Sequence, residues 1–303
     1  TKPLWWCMEN RDIGISSYKT PLLELGFSNP IKLQANTTLV YDLALLDLKS
    51  SSEVTKFDLR QHKSNFDSWT EKFKNSISKR VSGVREGVFI GLSSGYDSGA
   101  ICCELGSENK EVINARRELV LNSGNEHELL DFHKGLWDIA HQHISDKVED
   151  FKYTIRSSSS DYNEFWLSLK DDNGSNGLSL AKRDNKKIYI SGQGADELFS
   201  DYGFAGEKKY PHSNFGGLFP EDLGSIFPWP SVYNSSMESY LAKEEHVAGS
   251  YGLEARYPFL DPKVVQEFLW LNPELKNSNY KSVIHNYLQD SEFPMSVNEK
   301  IGF

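Results

Sequence analysis

The chain has 303 residues, 38% of them hydrophobic and 25% charged, which is length for about two domains and a sizeable core. A net charge of −10 and a pI near 5.4, with Lys and Arg only in short pairs, argue against a partner gripped through a nucleic-acid backbone. No run approaches ~18 apolar residues and no signal peptide is visible, so no membrane segment is expected, and three cysteines without disulfide or zinc spacing fit a reducing cytoplasm.

The first strong helix signal is Phe66, Trp69, Phe73 and Ile77 at helical spacing, with Asp67 or Ser68 as cap. Val88 to Leu92 is a short apolar strand pattern, and Gly99 to Leu105 has helical, apolar character, so Ser93 to Ser98 is the turn between them. A helix is expected over Glu108–Leu119, and Asn125–Val148 carries Leu129, Phe132, Leu136, Ile139 and His143 in helical period. His127, His133, His141 and His143 in that stretch invite a metal reading, but residues two apart diverge on a helix, so they are read as solvated or packing. Ser157–Ser160 and Asp171–Asn176 are loops. Lys187 to Ile190 is another strand, with Ser191, Gly192 and Gly194 as its turn and Asp196 as its acid. Tyr202 to Tyr233 is a long irregular segment rich in Gly and Pro, and no internal repeat is visible.

The two strand–turn–helix units share one grammar. Small residues in the turn let backbone N–H groups converge on phosphate oxygens, and the following helix N-terminus adds partial positive charge. Asp97 lies too close to such an anion to be tolerated alone, and a Mg²⁺ bridging carboxylate and phosphate resolves this. Strand ends of one parallel sheet face one crevice, so Asp97 and Asp196 are candidate ligands of a single Mg²⁺. The candidate nucleotide cradle is Leu92, Ser93, Ser94, Gly95, Tyr96, Asp97 and Ser98, joined by Ser191 and Gly192. Either turn alone reads as an ordinary turn or N-cap; together they favour a nucleotide site.

Four motifs in order then resemble the asparagine synthetase family, whose relatives include the β-lactam-forming synthetases and lasso-peptide cyclases. Ser93-Ser94-Gly95-Tyr96-Asp97-Ser98 is similar to the family's S-G-G-x-D-S pyrophosphatase loop. Ser191 to Tyr202 reads S-G-Q-G-A-D-E-L-F-S-D-Y against S-G-x-G-A-D-E-L-F-G-G-Y. Gly252 to Asp261 matches G-L-E-A-R-x-P-F-L-D, and Lys300-Ile301-Gly302-Phe303 matches K-x-G-F. The resemblance implies an α/β fold, a parallel sheet with flanking helices of the adenine nucleotide α-hydrolase type, over residues 51–303. It implies ATP and Mg²⁺, adenylation of aspartate or a related acid with release of pyrophosphate, and transfer of an amine from glutamine or ammonia. By resemblance Lys300 stabilises negative charge at the phosphate and the tetrahedral intermediate, and Glu254 approaches the site, where in cyclising relatives it partners a catalytic tyrosine. Read without the family, Glu254 and Arg256 could equally be an ion pair beside the Pro258 turn.

Departures from the family pattern bear on the substrate. Gln193 stands where asparagine synthetases usually carry glutamate; it has no titratable proton and can orient or polarise only by hydrogen bonding. Ser94 and Gly99 replace the usual glycine and serine, and both are small. A βαβ unit needs about 30 residues, yet Leu105 runs into Gly106-Ser107-Glu108-Asn109, so a strand is expected to be displaced to Glu118–Leu121 or absent from the chain, as is anything beyond Phe303. Lys2 to Trp6, Ser16 to Glu24 and Leu39 to Asp42 resemble closing elements of the family's β-rich glutaminase domain, here residues 1–50. Cys7 is internal and fits a small buried hydrophobe, so the glutaminase nucleophile is not among these residues. A homodimer, a separate ammonia-supplying subunit, a cyclase or amidotransferase with another acceptor in natural-product or sugar biosynthesis, and a non-catalytic nucleotide-binding homologue stay open.

Overall fold

β1 (Trp5–Glu9) lies between β2 (Asp12–Ser16) and β3 (Ile31–Lys32) in a small antiparallel sheet. The β1–β2 hairpin turns through Asn10 and Arg11, both at positive φ, which matches the right-handed twist of its strands. Helix α1 (Lys19–Glu24) covers it through Leu22, and β4 (Thr37–Asp42) pairs with β5 (Asp47–Glu53) as a second hairpin. The computed structural model describes residues 3–45, 47–84, 87–93, 95–105, 127–131, 186–204, 206–208, 215–233, 235–250 and 252–293. Lys300, Ser94, the expected helix at 108–119, the alternative strand at 118–121, the loops at 157–160 and 171–176, and His133, His141 and His143 lie outside them.

Helix α2 (Asp67–Val81) buries Trp69, Phe73 and Ile77 as their spacing predicts. Its cap differs from the expectation. Phe66 occupies the N-cap and makes no side-chain cap bond, while the Asn65 side chain accepts from the Asp67 N–H at 3.2 Å. The Phe66 ring packs against the core, which leaves Asp67 in the first helical turn, where its charge favours the helix dipole.

The central sheet has the order β11-β8-β6-β7, built from β6 (Gly87–Ser93), β7 (His127–Asp131), β8 (Lys186–Ile190) and β11 (Glu254–Arg256). β6, β8 and β11 are parallel, with Val88 opposite Ile188 and Ala255 opposite Tyr189. β7 runs antiparallel along β6, with Gly91 opposite Leu129. This overturns the helical reading of Asn125–Val148 at its start, because 127–131 satisfy the backbone groups of β6's open edge, and pairing outweighs a helical period.

Helix α3 (Tyr96–Leu105) follows β6, and α4 (Ala195–Phe199) follows β8. Cys102 and Cys103 are buried in α3, and Cys7 is buried in β1, its thiol donating to Glu9. Among its described residues, the segment after α4 holds a short hairpin, β9 (Gly203–Phe204) and β10 (Glu207–Lys208), and a 3-10 turn at Leu223–Ser225, and is otherwise irregular, as read. Helix α5 (Ser235–Ser250) leads to β11, and α6 (Pro262–Trp270), α7 (Pro273–Lys276) and α8 (Ser282–Asp290) close the described chain. Asp261 caps α6 by accepting from Lys263 N, with Pro262 in the first turn.

An aromatic core joins these layers. Phe73 stacks on Phe259 at 5.0 Å and on Trp69 at 5.2 Å; Phe199 meets Phe268 edge-on at 4.9 Å, and Phe268 meets Phe219 at 5.1 Å. Glu197 lies within this region, fully buried, with Tyr202 donating to Oε1 and no partner for Oε2 among the described residues. Burial, then the neighbouring Asp196 charge, pushes its carboxyl up to about 7.

Two outcomes follow from this core. Phe73→Ala should cost about 3–5 kcal/mol in denaturant unfolding, by loss of transfer energy and the cavity it leaves. Glu197 binds its proton more tightly folded than unfolded, so its contribution is present below the unfolded carboxylate range and is lost as pH rises through about 7. Glu197→Gln should therefore raise stability at pH 8 by up to about 3 kcal/mol and flatten the melting-temperature profile between pH 5 and 8; an unchanged profile would show that this carboxyl does not titrate there.

Candidate functional site

The adjacency of β6 and β8 puts their C-terminal turns side by side, and glycine sets how close they come. A Cβ on Gly192 would stand 2.9 Å from the Asp97 Cβ. Gly194 is bound to glycine for two reasons: its φ is +94°, and a Cβ there would fall 2.3 Å from Leu260 Cδ2. The second turn thus packs on α3 at Gly192 and on Leu260 at Gly194, with no side chain of its own between.

Asp97 and Asp196, each in the first turn of its helix, converge on one group that the motif readings do not include. The Lys281 ammonium donates to both oxygens of Asp97, at 2.7 and 2.6 Å, and lies 2.8 Å from Asp196 Oδ1. Tyr280 donates its hydroxyl to the same Asp196 oxygen at 2.8 Å. The Lys281 side chain is only 2% exposed. Burial works against its charged form, but the carboxylates of Asp196 and Asp97 override that and hold its pKa well above the usual lysine range. Burial likewise pushes the Tyr280 hydroxyl well up, so it stays a proton donor.

Lys281 reaches this point from an unusual backbone. It caps α8 at φ +47°, in the left-handed region, at a helix N-terminus that disfavours a cation. Val283, Ile284, Tyr287 and Leu288 bury the inner face of α8 against α3, and the Tyr287 hydroxyl donates to Glu104 at 2.7 Å. Tyr96 shares a 3.1 Å hydrogen bond with His285 Nδ1. The sequence signal for Lys281 was a lysine immediately before an amphipathic helix, where the dipole argues against it.

The other candidate residues fall into place less uniformly. Leu92 and Ser93 end β6, and Gly95 lies in the turn. Helix α3 begins at Tyr96, earlier than the expected turn to Ser98, because the Ser98 hydroxyl, 3.5 Å from Gly95 O, and the Gly99 N–H to Gly95 O close a first helical turn there. Ser191 is 1% exposed; its hydroxyl donates to Glu244 on α5 at 2.7 Å and accepts from the Gln193 N–H, so it braces the turn from inside. Its N–H donates to Arg256 O, tying the second turn to β11. Glu254 stands exposed on β11 and accepts from Arg256 Nε at 2.8 Å, which is the ion pair of the structural reading. Arg256 also donates to Arg80 O.

The donor set suits Mg²⁺. That ion takes one or two carboxylates and completes its shell with water and substrate phosphates. Asp97 and Asp196 already point at one place, and no third His, Cys, Asp or Glu joins them among the described residues. A cavity of about 220 Å³ borders Tyr280, Lys281, Ser200 and Gly203, beside this centre. A second, of about 670 Å³, lies behind α4, where Leu198 and Leu260 face Leu33, Phe57 and Met237. It is the roomier of the two; Asp97 and Asp196 line neither, and only the smaller is bordered by Lys281.

No family model matches the chain. It is 27% identical over 293 residues to a protein of Methanocaldococcus jannaschii named "Putative asparagine synthetase (glutamine-hydrolyzing) 1", an alignment covering 91% of this chain and 49% of that protein. The chain therefore spans about half the length of the curated relative it matches. It is a distant relative of that protein, and the likeness supports the asparagine synthetase family at a coarse level.

Proposed function

We propose that this protein is an ATP-dependent ligase of the asparagine synthetase type. A substrate carboxylate oxygen attacks the α-phosphorus of ATP, the bond to the β-phosphate breaks, and pyrophosphate leaves. An amine nitrogen then attacks the acyl carbon of the adenylate and gives up a proton to solvent or a base, and AMP departs with the C–O electrons, leaving an amide. The observation that carries this reading is the convergence of Asp97 and Asp196, from two separate strand–turn–helix units, on one cation position. The distant likeness to a protein named as an asparagine synthetase supports it.

Each residue then has an assignment. Asp97 and Asp196 hold Mg²⁺ against the triphosphate, where the ion would neutralise developing charge. Backbone N–H groups from Ser93 to Ser98, with that of Gly192, bind pyrophosphate oxygens, while Ser191, whose N–H is held by Arg256 O, shapes the second turn. Gln193 orients a substrate by hydrogen bonding, and Lys300 stabilises charge on the reacting phosphate and acyl centre. Glu254, paired with Arg256 through Oε1, is the candidate for proton transfer. Gln193 specifically favours an acceptor other than the usual aspartate, so an amidotransferase or cyclase is the second reading. Three free, buried cysteines are in keeping with a cytoplasmic setting, and no helix among the described residues is long and apolar enough to cross a membrane. The N-terminal hairpins leave Ile13, Ile15, Val40 and Leu48 exposed, which supports their being closing elements of a larger glutaminase-like domain.

Pyrophosphate release from ATP and Mg²⁺, measured with aspartate plus ammonia against a panel of other carboxylates and amines, tests the proposal. Release with some pair is expected; nucleotide binding without release under any pair would replace the ligase by a binding protein. Asp97→Asn and Asp196→Asn should each lower kcat/KM for release by about 10²-fold or more, and unaltered rates would remove them from the site. Lys300→Ala should bind ATP with native affinity in a fluorescence titration yet lose release, and a variant with full release would withdraw its role.

A further inference from the structure

Lys281 is the group that neither turn accounts for. Its Nζ stands 2.6 to 2.8 Å from three oxygens of Asp97 and Asp196, where a metal shared by the two carboxylates must sit. The chain places it there against several preferences. The side chain is buried, the backbone is left-handed, and the charge opposes the dipole of α8. Packing alone would be served by an uncharged side chain.

Charge arithmetic indicates what the ammonium does. Two carboxylates and one ammonium leave the centre with a net charge of −1. A divalent cation entering without displacing Lys281 turns that into a net positive charge with like charges crowded together, and such a state needs an anion beside it. A triphosphate is such an anion. With the ammonium absent, the two carboxylates would match a divalent ion unaided.

We propose that Lys281 is a positioning residue that makes metal binding conditional on nucleotide: in the free protein its ammonium keeps Asp97 and Asp196 at the spacing a metal needs while holding Mg²⁺ off until a triphosphate arrives. The inference rests on the functional reading above. Because coupling between two ligands is reciprocal, the nucleotide must depend on Mg²⁺ by the same factor.

The test is calorimetric titration of the full chain with MgCl₂ alone, and again with a non-hydrolysable ATP analogue present. Native protein should bind Mg²⁺ at least about tenfold more weakly without the analogue than with it. Lys281→Met, which keeps an unbranched stem and removes the charge, should tighten nucleotide-free Mg²⁺ binding by at least about tenfold and shrink that ratio. Lys281→Arg should keep the native ratio. A Lys281→Met protein that melts cooperatively yet binds Mg²⁺ alone no better than native overturns the inference. Should Lys281→Met be marginal in chelator, recovery of cooperative melting by MgCl₂ alone supports it, and failure to recover marks the lysine as merely structural. Native protein that binds no analogue at any Mg²⁺ concentration defeats the functional reading; native binding with no gain in Lys281→Met defeats only this inference.

Discussion

Two carboxylates held at one point beneath a protein surface repel each other unless a cation lies between them, and much of this molecule serves to supply one. Asp97 and Asp196 arrive on the first turns of α3 and α4, placed side by side by the parallel pairing of β6 with β8. Gly192 removes the side chain that would meet Asp97, and Gly194 lets the second turn close on Leu260. The cation comes from Lys281, carried by a helix whose apolar face is anchored along α3. Each part depends on the others: without the sheet pairing the acids do not meet, and without the lysine their meeting is unfavourable.

Motif residues divide between chemistry and framework. The run from Gly252 to Asp261 contributes mostly framework: Arg256 O receives the Ser191 N–H, its guanidinium reaches Arg80 O, Phe259 enters the aromatic core, and Asp261 caps α6. Asp261 also pairs with Lys79 and Arg80 of α2; burial opposes its charge, but the Lys263 N–H and these cations keep its carboxyl below the usual range. These bonds fix where β8 ends, and hence where Asp196 begins. Ser191 belongs to the same class, since its hydroxyl ties Glu244 of α5 to the Gln193 N–H within the turn.

Local signals were legible wherever spacing and a short turn suffice. Trp69, Phe73 and Ile77 announced α2, the apolar strands announced β6 and β8, and the acids after each turn announced the convergence, since parallel strand ends share a crevice. Lys281 was not legible, because a lone lysine has no motif and its partner Asp97 lies 184 residues away. Asn65 as the source of the α2 cap depended on which way Phe66 turned, a tertiary matter. The strand at 127–131 was hidden for the same reason: its Leu129 opens a helical period, and only the open edge of β6 makes the segment a strand.

The centre made by Asp97, Asp196 and Lys281 has no local part that can form early. β6 and β8 can pair only after a long crossover closes, and parallel pairings of this kind form late because loop entropy is lost before contacts compensate it. α8 must then dock before its left-handed lysine meets either acid. Half-folded chains therefore expose two unpaired acids and an unpaired lysine rather than a weakened site. On the proposed function, the ability to hold a nucleotide would report completion of the whole architecture.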